Sequence, residues 1–152
     1  MRFHGNRLPK KPPMGISGGS VCSSGSDNEV WSFTPEVYEI CKKYLALREK
    51  LKPYIAVQML EAHENGTPVM RPLFYDFPDD PVAWETEDEY LFGPDYLVAP
   101  ILYEGQQERE VYLPSGAKWI NMWTKENFDG GKRINVAAPL EIIPVFIKVS
   151  LS

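Results

Sequence analysis

The 152-residue sequence predicts an α+β chain in which a loop and a long helical region precede an antiparallel β-sandwich. Residues 1–33 hold Pro9, Pro12, Pro13, Gly15, Gly18, Gly19 and Gly25 with a serine cluster, the chemistry of a loop. Between Thr34 and Asn65 apolar residues recur at three- and four-residue spacing, the period of one helical face. Beyond Thr67 that period gives way to short runs rich in Val, Ile, Tyr and Trp, divided by turn residues. The change of period divides the chain into 1–66 and 67–152.

The helical region is marked at both ends. Thr34 is the expected N-cap, Pro35 supplies a preset φ at the first helical position, and Glu36 and Glu39 complement the positive end of the dipole. Asn65-Gly66 followed by Pro68 gives the stop. Val37, Ile40, Cys41, Tyr44, Leu45, Leu51, Ile55, Met59 and Ala62, with the stems of Arg48 and Gln58, make the predicted apolar face. Pro53 lacks an N–H and its ring crowds the preceding turn, so the pattern predicts a kinked pair of helices meeting near Leu51-Lys52. Left uncovered, a face of this size predicts self-association.

Six strands are expected after the boundary: Leu91-Phe92, Tyr96–Leu102, Glu108–Leu113, Trp119–Trp123, Arg133–Ala137 and Glu141–Val149. Pro114-Ser115-Gly116 and Asp129-Gly130-Gly131 read as hairpin turns, which would pair neighbouring strands antiparallel.

Composition narrows the function classes. A net charge of −5 and a pI near 5.1 argue against a nucleic-acid partner, which needs a basic surface. No apolar run approaches the eighteen or so residues that cross a bilayer, so no membrane partner is expected. Cys22 and Cys41 form neither a disulfide framework nor a metal spacing, which fits a reducing compartment such as the cytoplasm. Residues 72–108 are acidic and contain no Lys or Arg, yet the regular offsets of a Ca²⁺ loop are missing. Solvated loop charge is the expectation there, and neither metal nor cofactor is implied. The glycines at 18, 19 and 25 lack the Lys-Ser/Thr pair and preceding strand of a phosphate cradle. His63 falls in the last helical turn, where the dipole accounts for it.

His4 is the more suggestive histidine, because it lies in Arg2-Phe3-His4-Gly5-Asn6 just before the long loop. That segment, with Asn28-Glu29-Val30-Trp31-Ser32-Phe33 and Thr67-Pro68-Val69-Met70-Arg71-Pro72-Leu73-Phe74-Tyr75-Asp76-Phe77-Pro78-Asp79-Asp80, resembles glycoside hydrolase family 31, the α-glucosidase and α-xylosidase family. Tyr90-Leu91-Phe92-Gly93-Pro94-Asp95-Tyr96-Leu97-Val98-Ala99-Pro100 resembles it too, as do Val111–Gly116, Trp119, Trp123 and Ala138–Pro144. Together these segments cover nearly the whole chain in order.

The resemblance implies a fold and a place within it. The family carries its active site on a (β/α)₈ barrel followed by two β-sandwich domains. Residues 1–66 would then be the end of the barrel, its last βα unit, and residues 67–152 the proximal sandwich. A whole barrel takes about 250 residues, so this chain has room for one unit of it. The tail Ile147–Ser152 departs from the family pattern, and the second sandwich would be absent. Retaining hydrolysis uses two carboxylates, and no segment here matches the family's aspartate motifs, so no catalytic residue is expected in this chain. The resemblance makes His4 a substrate-binding residue that donates to sugar hydroxyls, with Arg2 in support, and makes a carbohydrate the parent enzyme's partner. A different reading is a stand-alone carbohydrate-binding sandwich in which Trp119 and Trp123, an even number of residues apart, stack on sugar rings. The first reading puts Tyr112, Trp119 and Trp123 in the core instead.

Overall fold

The computed structural model describes residues 30–149. Compact units meet between Pro53 and Tyr54. In the first, a 3₁₀ turn at Val30–Ser32 leads into helix α1, Pro35–Asn65. Thr34 caps it as expected, its hydroxyl accepting from the Val37 N–H at 3.4 Å. Cys41 is buried, and the exposed pairs Lys42–Glu39 and Lys52–Glu49 lie three residues apart along the helix.

α1 is one helical element of 31 residues with Pro53 inside it, where the sequence predicts a kinked pair. The predicted face holds at most of its positions, with Val37, Ile40, Tyr44, Leu45, Leu51, Ile55 and Ala62 half-buried and Cys41 buried, and departs at Met59. Met59 is exposed, together with Val57 and Leu60, whereas Gln58 is buried whole rather than by its stem alone. The helix ends where expected: Gly66 takes φ +70° and its N–H donates to Ala62.

The second unit holds the last turns of α1 and the sheets. Its elements are β1 (Met70–Arg71), α2 (Leu73–Asp76), α3 (Pro81–Glu85), β2 (Tyr90–Phe92), β3 (Tyr96–Val98), β4 (Glu108–Leu113), β5 (Lys118–Asn121), β6 (Asn127–Asp129), β7 (Lys132–Ala137) and β8 (Val145–Val149). A six-stranded sheet has the order β1-β2-β3-β8-β5-β6, and β4 and β7 form a second sheet, with every pairing antiparallel. The chain therefore forms the expected sandwich by a different route. Neither Pro114-Ser115-Gly116 nor Asp129-Gly130-Gly131 closes a hairpin, because β4 pairs with β7 and β5 with β6 and β8. The two turns instead lie against each other. Gly130 donates to Ala117 O and Gly131 to Leu113 O, and a Cβ on Gly130 would come within 2.1 Å of Pro114 O. Two strands thus cross together from one sheet to the other, and glycine is needed where their backbones touch.

Register explains the core. Leu91 faces Leu97 and Leu97 faces Phe146, so three fully buried side chains form one row across β2, β3 and β8. Leu73, Ala83, Ala99, Val111, Tyr112, Leu113 and Trp119 complete the cluster. Tyr54 of α1 packs edge-on to Tyr96 at 5.1 Å and donates to Phe92 O at 3.2 Å. Gly93, at φ +60°, lies beneath it, where a Cβ would come within 2.0 Å of the Tyr54 hydroxyl.

Candidate functional site

The acidic stretch is where sequence reasoning and structure part most. Two of its carboxylates, Asp80 and Glu89, are buried, which corrects the expectation of solvated loop charge. Asp80 is the N-cap of α3, with Pro81 at the first helical position, and accepts the Val82 N–H at 3.1 Å. Its other oxygen accepts from the Tyr112 hydroxyl at 2.7 Å and from the Ser115 N–H and hydroxyl at 2.8 and 2.9 Å. Burial opposes ionisation of Asp80, but these hydrogen bonds outweigh it and hold the carboxyl below the ordinary aspartate value. Burial and that same bond push the Tyr112 phenol up to about 12.

Glu89 has a poorer set of partners. One oxygen accepts the Tyr112 N–H at 2.7 Å and lies 3.7 Å from the Arg109 guanidinium, while the other has no hydrogen-bond partner. Burial pushes this carboxyl up to about 7 against the pull of the Tyr112 N–H and Arg109, and the neighbouring charge of Asp88 adds to the rise. Arg109 is buried and donates to Asp88 Oδ2 at 2.7 Å and to the carbonyls of Asp88, Glu110 and Pro100.

Asp80 is saturated, Asp76 is held by Arg71 at 3.1 Å, and Glu89 is closed off from solvent. Among the described residues no group of His, Cys, Asp and Glu is placed to hold a metal ion, and no helix is long and apolar enough to cross a membrane. Beside Asp80 a hollow of about 230 Å³ is lined by Asp76, Phe77, Pro78, Asp79, Ser115 and Gly116. The indole N–H of Trp84 donates to Pro78 O at 2.8 Å, and its ring stacks on Phe74.

The expected sugar-contacting residues His4 and Arg2 lie outside the described residues. Trp119 is fully buried, and its indole N–H donates to Pro114 O. It belongs to the core and stacks on nothing in solvent. Trp123 follows the end of β5 and donates to Ile143 O, so the two tryptophans do not share one strand face. From sequence Asp80 reads as loop charge; Asp80-Pro81 is a local signal that could have marked the cap, but its partners Tyr112 and Ser115 are too distant in sequence to show. Nothing local marked Glu89, Arg109 or Trp84.

Comparison with known proteins places the chain. The glycosyl hydrolase family 31 C-terminal domain matches residues 66–150. Alpha-glucosidase 2 of Bacillus thermoamyloliquefaciens is 42% identical over 120 residues, which cover 79% of this chain and 15% of that protein. An α-xylosidase of Saccharolobus solfataricus is 35% identical over 148 residues, covering 97% of this chain and 18% of that protein. Among solved structures, a family 31 α-xylosidase from a soil metagenome, complexed with xylose, superposes with a TM-score of 0.86 at 47% identity. That match covers 94% of this chain and 21% of the xylosidase. The chain spans about a fifth or less of these relatives' lengths.

Proposed function

Since the chain belongs to glycoside hydrolase family 31, we propose that it is the C-terminal portion of a retaining α-glycosidase acting on α-glucosides or α-xylosides. Residues 1–66 end the catalytic barrel and residues 67–152 form the proximal sandwich that buttresses it. The observation that carries this reading is the match to the xylose-bound enzyme, which extends over sequence and backbone alike across nearly the whole chain. On this reading the nucleophile and the acid/base reside in the larger part of the parent enzyme. His4 supplies a hydrogen bond to hydroxyls of the sugar that is cleaved, and Arg2 supports it. A lone hydrogen bond of about 1–3 kcal/mol is too little to hold a sugar once association costs are met, so the chain alone is inactive.

The test is restoration. Purified alone, the protein leaves aryl α-glucosides and α-xylosides intact. Added to a family member truncated before the matching segment, it restores turnover, and His4→Ala abolishes the restored activity. Turnover by the isolated protein above a heat-killed control would overturn the reading. Exposed Val57, Met59 and Leu60 on α1 also lead us to expect association with a second copy in the isolated chain. Light scattering reads this as a mass that rises with concentration; a mass that stays at the monomer value removes it.

A further inference from the structure

Trp84 is held in place yet open. In α3, its ring stacks on Phe74 of α2 with centroids 4.4 Å apart and planes 10° from parallel, and the bond to Pro78 O fixes its rotation. Even so, the residue is 58% exposed, so the indole face turned away from Phe74 is in solvent. Single exposed apolar residues are ordinary. A tryptophan whose ring is fixed by a stack and a hydrogen bond has already lost the rotamer freedom that a flat ligand would otherwise have to remove. Its electron-rich face suits the C–H groups of a sugar ring.

The surroundings select among flat ligands. Pro78, which accepts the indole hydrogen bond, also borders the hollow that contains Asp79, Ser115 and Gly116. Lys148 of β8 places its ammonium 5.5 Å from the centre of the Phe77 ring, which lines the same hollow as Asp79, so the site carries one charge of each sign and no net field that favours a charged ligand. Asp76 is neutralised by Arg71 and Asp80 is saturated, which leaves Asp79 as the exposed carboxylate of the rim. One exposed carboxylate is an acceptor for hydroxyls more than a trap for a polycation.

We propose that the open face of Trp84 and the adjoining hollow form a binding site for a neutral glycan, with a pyranose ring stacked on the indole and its hydroxyls donating to Asp79. The choice of a sugar rests on the glycosidase reading above, while the platform rests on this chain's own geometry.

The experiment is a titration of the ¹⁵N-labelled full chain with isomaltotriose, maltotriose or xylose, following the tryptophan indole N–H signals. Trp84→Phe assigns the Trp84 signal. That signal and the Gly116 amide should shift together and saturably, and Trp84→Ala should weaken binding about tenfold or more. Trp84→Phe, which keeps a ring, should recover part of the loss, and Asp79→Asn should weaken binding about threefold. Trp31→Ala should leave it unchanged. Absence of saturable shifts with every sugar would overturn the proposal, as would binding that survives Trp84→Ala. So would saturable binding of a short lysine peptide in place of sugars. If Trp84→Ala does not fold, Trp84→Phe and Asp79→Asn decide alone: unchanged affinity in both overturns the site. Restoration of a truncated family member does not require this surface, so the two readings fail separately.

Discussion

Asp80 and Glu89 are both 5% exposed, lie in one acidic stretch and are bonded by the same residue, Tyr112 of β4, yet they respond oppositely to burial. Asp80 receives four hydrogen bonds, from Val82, the Tyr112 hydroxyl and both groups of Ser115. Glu89 receives one, and its second oxygen has none. The first carboxyl titrates below its ordinary value and the second is pushed up to about 7. Burial taxes the charged form in both. The number of donors decides whether that tax is met.

The largest expected effect follows from removing the well-served member. Asp80→Ala takes away the α3 cap and strands the buried Tyr112 hydroxyl and the Ser115 N–H, at a cost of about 3 kcal/mol or more. Urea unfolding should show this as a lowered midpoint with an unchanged slope. A loss below about 1 kcal/mol would mean that water or a relaxed loop replaces the carboxylate.

Glu89 gives the next effect, and its sign is opposite to that of Asp80. Because the folded carboxyl holds its proton more tightly than the unfolded one, its stabilising contribution is complete below about 4.5 and is lost as pH rises through about 7. At roughly 1.4 kcal/mol per pH unit, the loss approaches about 3 kcal/mol as an upper bound. Asp80 contributes in the other direction, being fully stabilising above 3.8 and losing that contribution as pH falls through its lower folded value. Unfolding free energy should therefore peak between these two windows. Glu89→Gln should flatten the slope between pH 4.5 and 7 and leave the acid limb intact. A slope unchanged by that substitution would transfer the titration to another group.

This contrast also explains what was legible in the sequence. Local chemistry was readable: the Thr34 cap and the Gly66 stop stand where their residues place them, and six of the eight strands overlap the expected runs, whereas β1 and β6 were not expected. Pairing was not. The glycine turns at 114–116 and 129–131 have hairpin composition, and only the contact of Gly130 with Pro114 and Ala117 shows that they carry two strands between sheets. Pro53 signalled a break, yet one helical element contains it. The two buried carboxylates look alike in sequence because a donor set assembled from β4 and the loop after it leaves no local trace. Trp119 and Trp84 differ in the same way: pairing of β5 with β6 and β8 buries the first, whereas the second, on α3, stays exposed, and neither outcome is written in the neighbouring residues.

The smallest effect on stability should come from Asp88, and it tests the comparison most directly. Asp88 is about half exposed and bonds Arg109 at 2.7 Å, so solvent screens the pair and Asp88→Asn should cost no more than about 1 kcal/mol. Its charge nevertheless raises the pKa of Glu89. With that charge gone, and with Arg109 free to turn toward Glu89 from its present 3.7 Å, the ionised form of Glu89 gains on both counts. The upper end of the pH window should move below 7, so the variant should approach or pass the natural protein in stability at pH 8 while losing ground at pH 4.5. Crossing stability curves are the signature. Parallel curves would mean that Asp88 and Glu89 do not communicate, and that the orphaned oxygen of Glu89 alone sets its titration.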